Sequence, residues 1–451
     1  MRKRWIPALV LLANLLIFAS LAQAQAPAHP KPGAPAASHP AAPADSTAKP
    51  EDVGLSSERL ERIAAAIQKS VDDGQIAGGV SLVARHGRIV YLKAVGMADR
   101  DTRKPMQKDS IFRICSMSKP LTSVAVMILY EEGRFLLSDP VSDYLPEFKN
   151  MKVLDPPWPQ DKTSPPGALV DAKRPITIFN LLTHTSGLTY QWNARLGKAY
   201  RDANVGSGIL QHEGTIADGV KGLAAQPLLF QPGDDWEYSL ADDVLGRLVE
   251  VVSGMPFDKF LQERLFQPLG MKDTGFFPPQ EKVARIATAY AYDEQKGLQP
   301  IRDNQVMHEG GFEYSADYPY RGPHTYFSGG GGLCSTAEDY YRFCQMMLNG
   351  GELNGARILS RKSVELMSHN HVIGKPDGGN YGLGFGTSAD EPQLTELGSI
   401  GSYYWGGFYY TSFIIDSKED LIAIFMGQLH PAGKLNLSSK AITLAYQAIK
   451  D

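Results

Sequence analysis

Apolar positions along the chain follow two recurring patterns. From Ser57 to Asp73, Leu60, Ile63, Ile67 and Val71 recur at helical spacing, with Ser56 placed to cap the start and Gly74 to end the helix. Val80-Ser81-Leu82-Val83-Ala84 and Ile89-Val90-Tyr91-Leu92 then read as strands, joined as a hairpin through His86-Gly87-Arg88. Near the other end, Phe413 to Ile415 and Leu421 to Met426 form a second strand pair, split at Ser417-Lys418-Glu419-Asp420. A last helix is predicted from about Ser438 to Ile449. Elements of both kinds at both ends predict one sheet built from the two chain ends and covered by those helices. The middle, roughly 155 to 325, is rich in Pro and Gly, carries short helical patterns such as Ile178–Leu182 and Asp243–Val252, and shows few strand signals. The pattern therefore predicts an α/β fold in which an antiparallel sheet flanked by helices is interrupted by a mostly helical insertion. Residues 51–155 and 325–451 would form the α/β domain and 156–324 the helical one, in a chain too long for one simple core.

The first residues change the picture of where this fold works. Arg2, Lys3 and Arg4, an apolar run from Ile6 to Leu21 and the small-residue pattern Ala22-Gln23-Ala24 predict a cleavable signal peptide over 1–24, hence a periplasmic or secreted protein. No cysteine lies near that junction, which argues against a lipoprotein anchor. Residues 25–50, almost all Ala, Pro, His, Lys and Ser, read as a disordered linker with too little apolar surface to offset ordering entropy. No later segment is long and apolar enough to span a bilayer, so no stable membrane partner is expected after signal cleavage. Net charge is −4 for the whole chain and −7 without residues 1–24, which hold three basic and no acidic side chains. That mildly acidic balance, without basic blocks, argues against nucleic acid and anionic membranes as partners. Cys334 and Cys344 lie ten residues apart on what reads as one helix, too distant for a bridge, so with Cys115 they predict buried thiols and no disulfide.

Candidate chemistry concentrates in Phe112-Arg113-Ile114-Cys115-Ser116-Met117-Ser118-Lys119-Pro120, which runs into the helical stretch Leu121–Tyr130. A serine three residues before a lysine on one helix puts both side chains on one face, about a turn apart. At a helix start the serine also sits in the positive end of the dipole, with its own N–H free for an oxyanion. The lysine is placed to take the serine proton if its surroundings lower its pKa. The pair alone is not specific, since Ser46-Thr47-Ala48-Lys49 repeats it inside the polar linker.

Three further segments add specificity. Ile176–Leu188, containing Thr183-His184-Thr185-Ser186-Gly187-Leu188, the run Trp236-Glu237-Tyr238-Ser239-Leu240-Ala241-Asp242-Asp243-Val244-Leu245-Gly246, and Gly329–Asp339 with its four glycines resemble segments of the serine β-lactamase-like superfamily. From about 55 to 450 the chain is identified as a member of that superfamily, most similar to its class C β-lactamase-like carboxylesterase (family VIII esterase) branch. The resemblance implies a β-lactamase/penicillin-binding transpeptidase-like fold. It implies Ser116 as the acylated serine, Lys119 as its partner and Tyr238 as the phenol that relays protons with the lysine. The two would titrate as a coupled pair, and which of them is the first base stays open. Trp405-Gly406-Gly407 is similar to the third family motif, which lines the substrate, and the N–H groups of Phe408 and Ser116 would form the oxyanion hole.

Two departures bear on substrate. Leu240 stands where β-lactamases carry an asparagine, and Trp405 where they carry a cationic or histidine side chain. Both remove polar handles for a β-lactam and leave the acylation machinery in place. The expected activity is hydrolysis of a small to medium acyl ester without metal or organic cofactor. Rivals are a D-amino-acid peptidase or weak β-lactamase on the same machinery, an acyltransferase, and a non-catalytic binding protein for cell-wall ligands. Tyr409-Tyr410, where relatives often have small residues, raises the question of a crowded acyl pocket. His184 reads as structural, Gly329–Gly332 as a tight turn before a helix, and His369 with His371 lacks the carboxylates or cysteines of a metal site. Asp243 fits either support of Tyr238 or a solvated helix start. The aromatics Tyr403, Tyr404, Phe408, Tyr409 and Tyr410 fit either a cleft wall or strand packing.

Overall fold

The computed structural model describes residues 47–157, 167–375, 379–388 and 396–451; the predicted signal peptide and residues 25–46 of the linker lie outside them. Helix α1 (Ser57–Asp72) is capped by Ser56, whose side chain accepts the Arg59 N–H, and leads into β1 (Gly78–Arg85) and β2 (Arg88–Asp99). The turn between these strands puts His86 at φ 52° and Gly87 at φ 70°, the two positive dihedrals of a tight hairpin. Short β3 (Lys104–Pro105) and β4 (Phe112–Arg113) precede helix α2 (Ser118–Glu131). Helices α3 (Ile178–Leu182) and α4 (Ala241–Ser253) follow in the middle of the chain. The last part holds β5 (Cys334–Ser335), α5 (Ala337–Leu348), β6 (Gly386–Thr387), β7 (Tyr403–Gly407), β8 (Thr411–Asp416), β9 (Leu421–Met426) and α6 (Leu437–Tyr446).

The main sheet runs β6-β7-β8-β9-β1-β2-β3, with antiparallel pairing throughout. Its centre joins the two chain ends, Val80 opposite Met426 and Arg85 opposite Leu421. Alternation sorts the side chains between two cores. Val80, Leu82, Ala84, Phe413, Ile415, Ile422, Ile424 and Met426 pack with Leu121 and Val124 of α2 and Phe343 and Met347 of α5. Val83, Ile414, Ala423 and Phe425 pack with Leu60, Ile63 and Ile67 of α1 and Ala441 and Ala445 of α6. Strands covered on both faces read as unbroken apolar runs, which is why these were predictable. Helix α2 is enclosed on every side, with twelve of its fourteen residues buried.

Two expectations are corrected. Cys334 and Cys344 do not share a helix: Cys334 lies in β5, paired with Arg113 of β4, and Cys344 lies in α5. The absence of a bridge stands for a different reason, since all three cysteines are free and buried. The glycine run 329–332 is followed by that strand before the helix begins. The middle region holds more pairing than its sequence signalled, as hairpins of three or four residues at Tyr290–Asp293 with Gly297–Pro300 and at Met307–Glu309 with Phe312–Tyr314. At the near end, Thr47 pairs with Ile89 and Pro50–Val53 forms a 3-10 turn, so the chain is ordered slightly before residue 51.

Strand β7 presses against the turn that precedes α2. A Cβ at Gly407 would stand 2.3 Å from the Ile114 carbonyl oxygen and 2.2 Å from Thr411 Oγ1, contacts no side chain tolerates. At Gly406 the nearest atom would be Thr411 O at 3.2 Å. Gly407→Ala should therefore cost about 1–3 kcal/mol in denaturant unfolding, with Gly406→Ala clearly milder.

Candidate active site

Ser116 sits in a 3-10 turn, Cys115–Met117, that runs directly into α2. Cys115 takes φ 43°, a left-handed conformation that is strained for a side chain of this size and held by its surroundings. The turn is pinned by Ile114 N–H on Leu333 O (3.1 Å), Leu333 N–H on Ser118 Oγ (3.2 Å) and Thr122 Oγ1 on Gly329 O (2.7 Å). Behind it the Arg113 guanidinium is buried and donates to Ala316 O, Ala287 O and Gln428 Oε1. Burial pushes the Cys115 thiol up to about 12, so it stays an unreactive neighbour of the serine.

One turn along, Lys119 is fully buried, and its three N–H bonds have three partners: Ser116 Oγ at 3.5 Å, Tyr190 OH at 2.9 Å and Gly330 O at 2.7 Å. Its ammonium also faces the Tyr238 ring, 4.6 Å from the centroid. Burial opposes the charge, yet Tyr190, Tyr238 and Asp242 together outweigh it and hold the lysine pKa above its ordinary value. The resting lysine is an ammonium.

The structure thus brings Ser116, Lys119 and Tyr238 together and adds Tyr190, which sequence reasoning missed. The signal was within reach: Tyr190 lies two residues past the Thr183–Leu188 segment. Gly187, at φ 85°, turns the chain there, and its missing Cβ leaves room for the Phe230 carbonyl. Burial raises the Tyr190 phenol well above its usual range, so it meets Lys119 as a neutral acceptor.

The glycine run serves this contact. A Cβ at Gly329 would lie 2.3 Å from Asp242 O, so the loop can touch the start of α4 only as glycine. Asp243 fits neither of the two expected roles, being buried and bonded away from Tyr238. Its buried carboxylate accepts Tyr326 OH (2.9 Å), Ser328 Oγ (2.8 Å) and the Gly330 N–H (2.9 Å), and so fixes the peptide that receives Lys119. His184 is buried at φ 55°, with Nδ1 on Ser239 Oγ (3.1 Å) and its ring 4.9 Å from that of Tyr238; burial drives its pKa well below the ordinary value, so it is neutral.

On the sheet side, Trp405 approaches Tyr238 (ring centroids 5.7 Å) and Tyr381 (5.1 Å), and its buried Nε1 has no hydrogen-bond partner among the described residues. Phe408 follows β7 in the turn to β8, its ring stacked on His430 at 3.5 Å, with His430 Nε2 2.5 Å from Glu309. Tyr409 and Tyr410 do not crowd the cleft: their hydroxyls donate to Ser315 O and Leu435 O within the packing. Tyr403 is likewise core, against Phe385, whereas Tyr404 is exposed. Leu240 is buried in the main core. His369 and His371 bond to the backbone carbonyls of Glu365 and Leu366, and no cluster fit for a metal occurs among the described residues.

The family model described as Beta-lactamase fits residues 63–445. The chain is 35% identical over 384 residues to protein Rv1367c of Mycobacterium tuberculosis, covering 81% of this chain and 89% of that one. It is 32% identical over 395 residues to esterase EstB of Burkholderia gladioli, covering 86% and 94%. The solved structure of EstCE1, described as a hydrolase with promiscuous acyltransferase activity, aligns with TM-score 0.74 and 30% identity over 87% of this chain and 99% of that one.

Asp243→Ala would leave two hydroxyls and one N–H buried without an acceptor. The variant should lose about 2–4 kcal/mol of stability by chemical denaturation, and Asp243→Asn, which keeps an acceptor oxygen, should lose less.

Proposed function

Because the chain belongs to the β-lactamase family of serine hydrolases, we propose that it is a carboxylesterase that cleaves small to medium acyl esters through an acyl-enzyme on Ser116. The observation that carries this reading is the Lys119 ammonium, buried and aimed at Ser116 Oγ, with Tyr238 across its face. Loss of one proton from the lysine–tyrosine pair generates the base. That base, shared between Lys119 Nζ and the Tyr238 phenol, takes the Ser116 proton. Serine Oγ then bonds to the ester carbonyl carbon. The oxyanion lies against the N–H groups of Ser116 and Phe408, and its collapse expels the alcohol, which recovers the proton. Water attacks the acyl-enzyme in the same way and releases the acid.

The absence of a polar handle at positions 240 and 405 favours a neutral ester over a carboxylate-bearing β-lactam or peptide. Leu240 is buried in the core, and Trp405 presents an indole where a cation would hold that carboxylate. No step calls for a metal or organic cofactor. EstCE1 supports a second outcome for the same intermediate, capture by an alcohol in place of water. The basic start, apolar run and Ala22-Gln23-Ala24 support export to the periplasm or beyond.

Purified mature protein should hydrolyse p-nitrophenyl butyrate, and Ser116→Ala should fall to background with the fold intact. Turnover of a chromogenic cephalosporin at a comparable rate would overturn the ester assignment, and ester cleavage surviving in Ser116→Ala would overturn the nucleophile. Tyr190→Phe removes one acceptor from a buried ammonium and should lower kcat/KM about tenfold or more.

A further inference from the structure

Beneath the proton-relay residues lies a second, unused pair of titratable groups. Asp242 is buried in the first turn of α4. Its Oδ2 lies 3.6 Å from His184 Nε2 and has no hydrogen-bond partner among the described residues. A carboxylate in such a place is costly unless paired or neutralised. The groups that face it are few: His184 from the 183–190 segment, Lys119 from α2, its neighbour Asp243 on α4, and the phenols of Tyr190 and Tyr381. Asp243 is already committed to three donors, and the Lys119 N–H bonds all point elsewhere. Asp242 therefore acts on the lysine through space, as a negative charge without a bond.

We infer that Asp242, seated against His184, is a positioning residue that sets how tightly Lys119 holds its proton. This rests on the Ser116–Lys119–Tyr238 reading proposed above. An ionised Asp242 stabilises the ammonium, so it delays formation of the base. A protonated Asp242 releases that restraint. Burial, eased in part by Lys119, raises this carboxyl to about 7, so the switch operates near neutral pH. His184 stays neutral because burial and the nearby Lys119 both oppose a second cation. The carboxyl is therefore the member of the pair that takes up the proton.

Asp242→Asn keeps the shape and removes the charge. The acid limb of kcat/KM for p-nitrophenyl butyrate should move to lower pH by about one unit, with the plateau changed less than threefold. A drop in activity with the limb unmoved, or a limb displaced upward, would overturn the inference. A second readout needs no substrate: with lysine labelled at the ε-carbon, NMR should show the Lys119 ammonium, assigned by Lys119→Arg, losing its proton at lower pH in Asp242→Asn. An unchanged titration would sink the idea even if the protein cleaves no ester, and ester activity lost only in Ser116→Ala bears on the parent reading alone. The variant should fold. A carboxyl raised in the folded state contributes stability below its unfolded pKa and loses that contribution as pH rises through about 7. Asp242→Asn should therefore melt above the wild type at pH 8 and show a smaller advantage at pH 5.

Discussion

The ammonium of Lys119 is the point on which the rest of the site is built. A charge in the interior is tolerated only when each of its donors finds an acceptor, and here the acceptors come from three separated parts of the chain. Ser116 comes from the turn before α2, Tyr190 from the segment that follows α3, and Gly330 from the glycine run before β5. Asp243 then ties that run to α4. One buried cation thus fixes the relative positions of four segments. The strained dihedral at Cys115 and the glycines of the loop are what let those segments approach closely enough to meet it.

How much of this could be read from sequence follows from which constraints are local. The strands of the central sheet were legible because both faces are covered, so apolar residues run without interruption through Val80–Ala84 and Leu421–Met426. The Ser56 cap and the Gly87 turn are local chemistry and were legible for that reason. Cys334 was misplaced because a two-residue strand has no periodicity of its own, and its pairing with Arg113 is set by the distant turn it supports. Tyr190 and Asp242 were overlooked for the same reason. Their importance comes from proximity to Lys119, a contact that no local periodicity encodes even though each lies in or beside a family-like segment. Ser116, Lys119 and Tyr238 could be nominated because their neighbours follow a family pattern over long stretches.

The site also shows how one fold holds groups that oppose its stability. Arg113, Lys119, Asp242 and Asp243 are all buried, and each is handled differently. Arg113 donates to three carbonyl oxygens, Lys119 to mixed neutral acceptors and Asp243 accepts from three donors, while Asp242 keeps an oxygen with no partner among the described residues. Fully satisfied groups rigidify their surroundings; the incompletely satisfied one stays responsive to protons.

The sheet order has a consequence for how the chain reaches this state. Because β1 at the beginning pairs with β9 near the end, the middle of the sheet cannot close until almost the whole polypeptide is available. Contacts between such remote segments carry a large loop-closure cost and make folding slow. During synthesis the β1–β2 hairpin emerges early with its β9-facing edge unpaired, an edge open to wrong partners. The last strands and α6 then act as the closing clasp: a chain shortened by its final few dozen residues would lose both the centre of its sheet and the cover of one face at a single stroke.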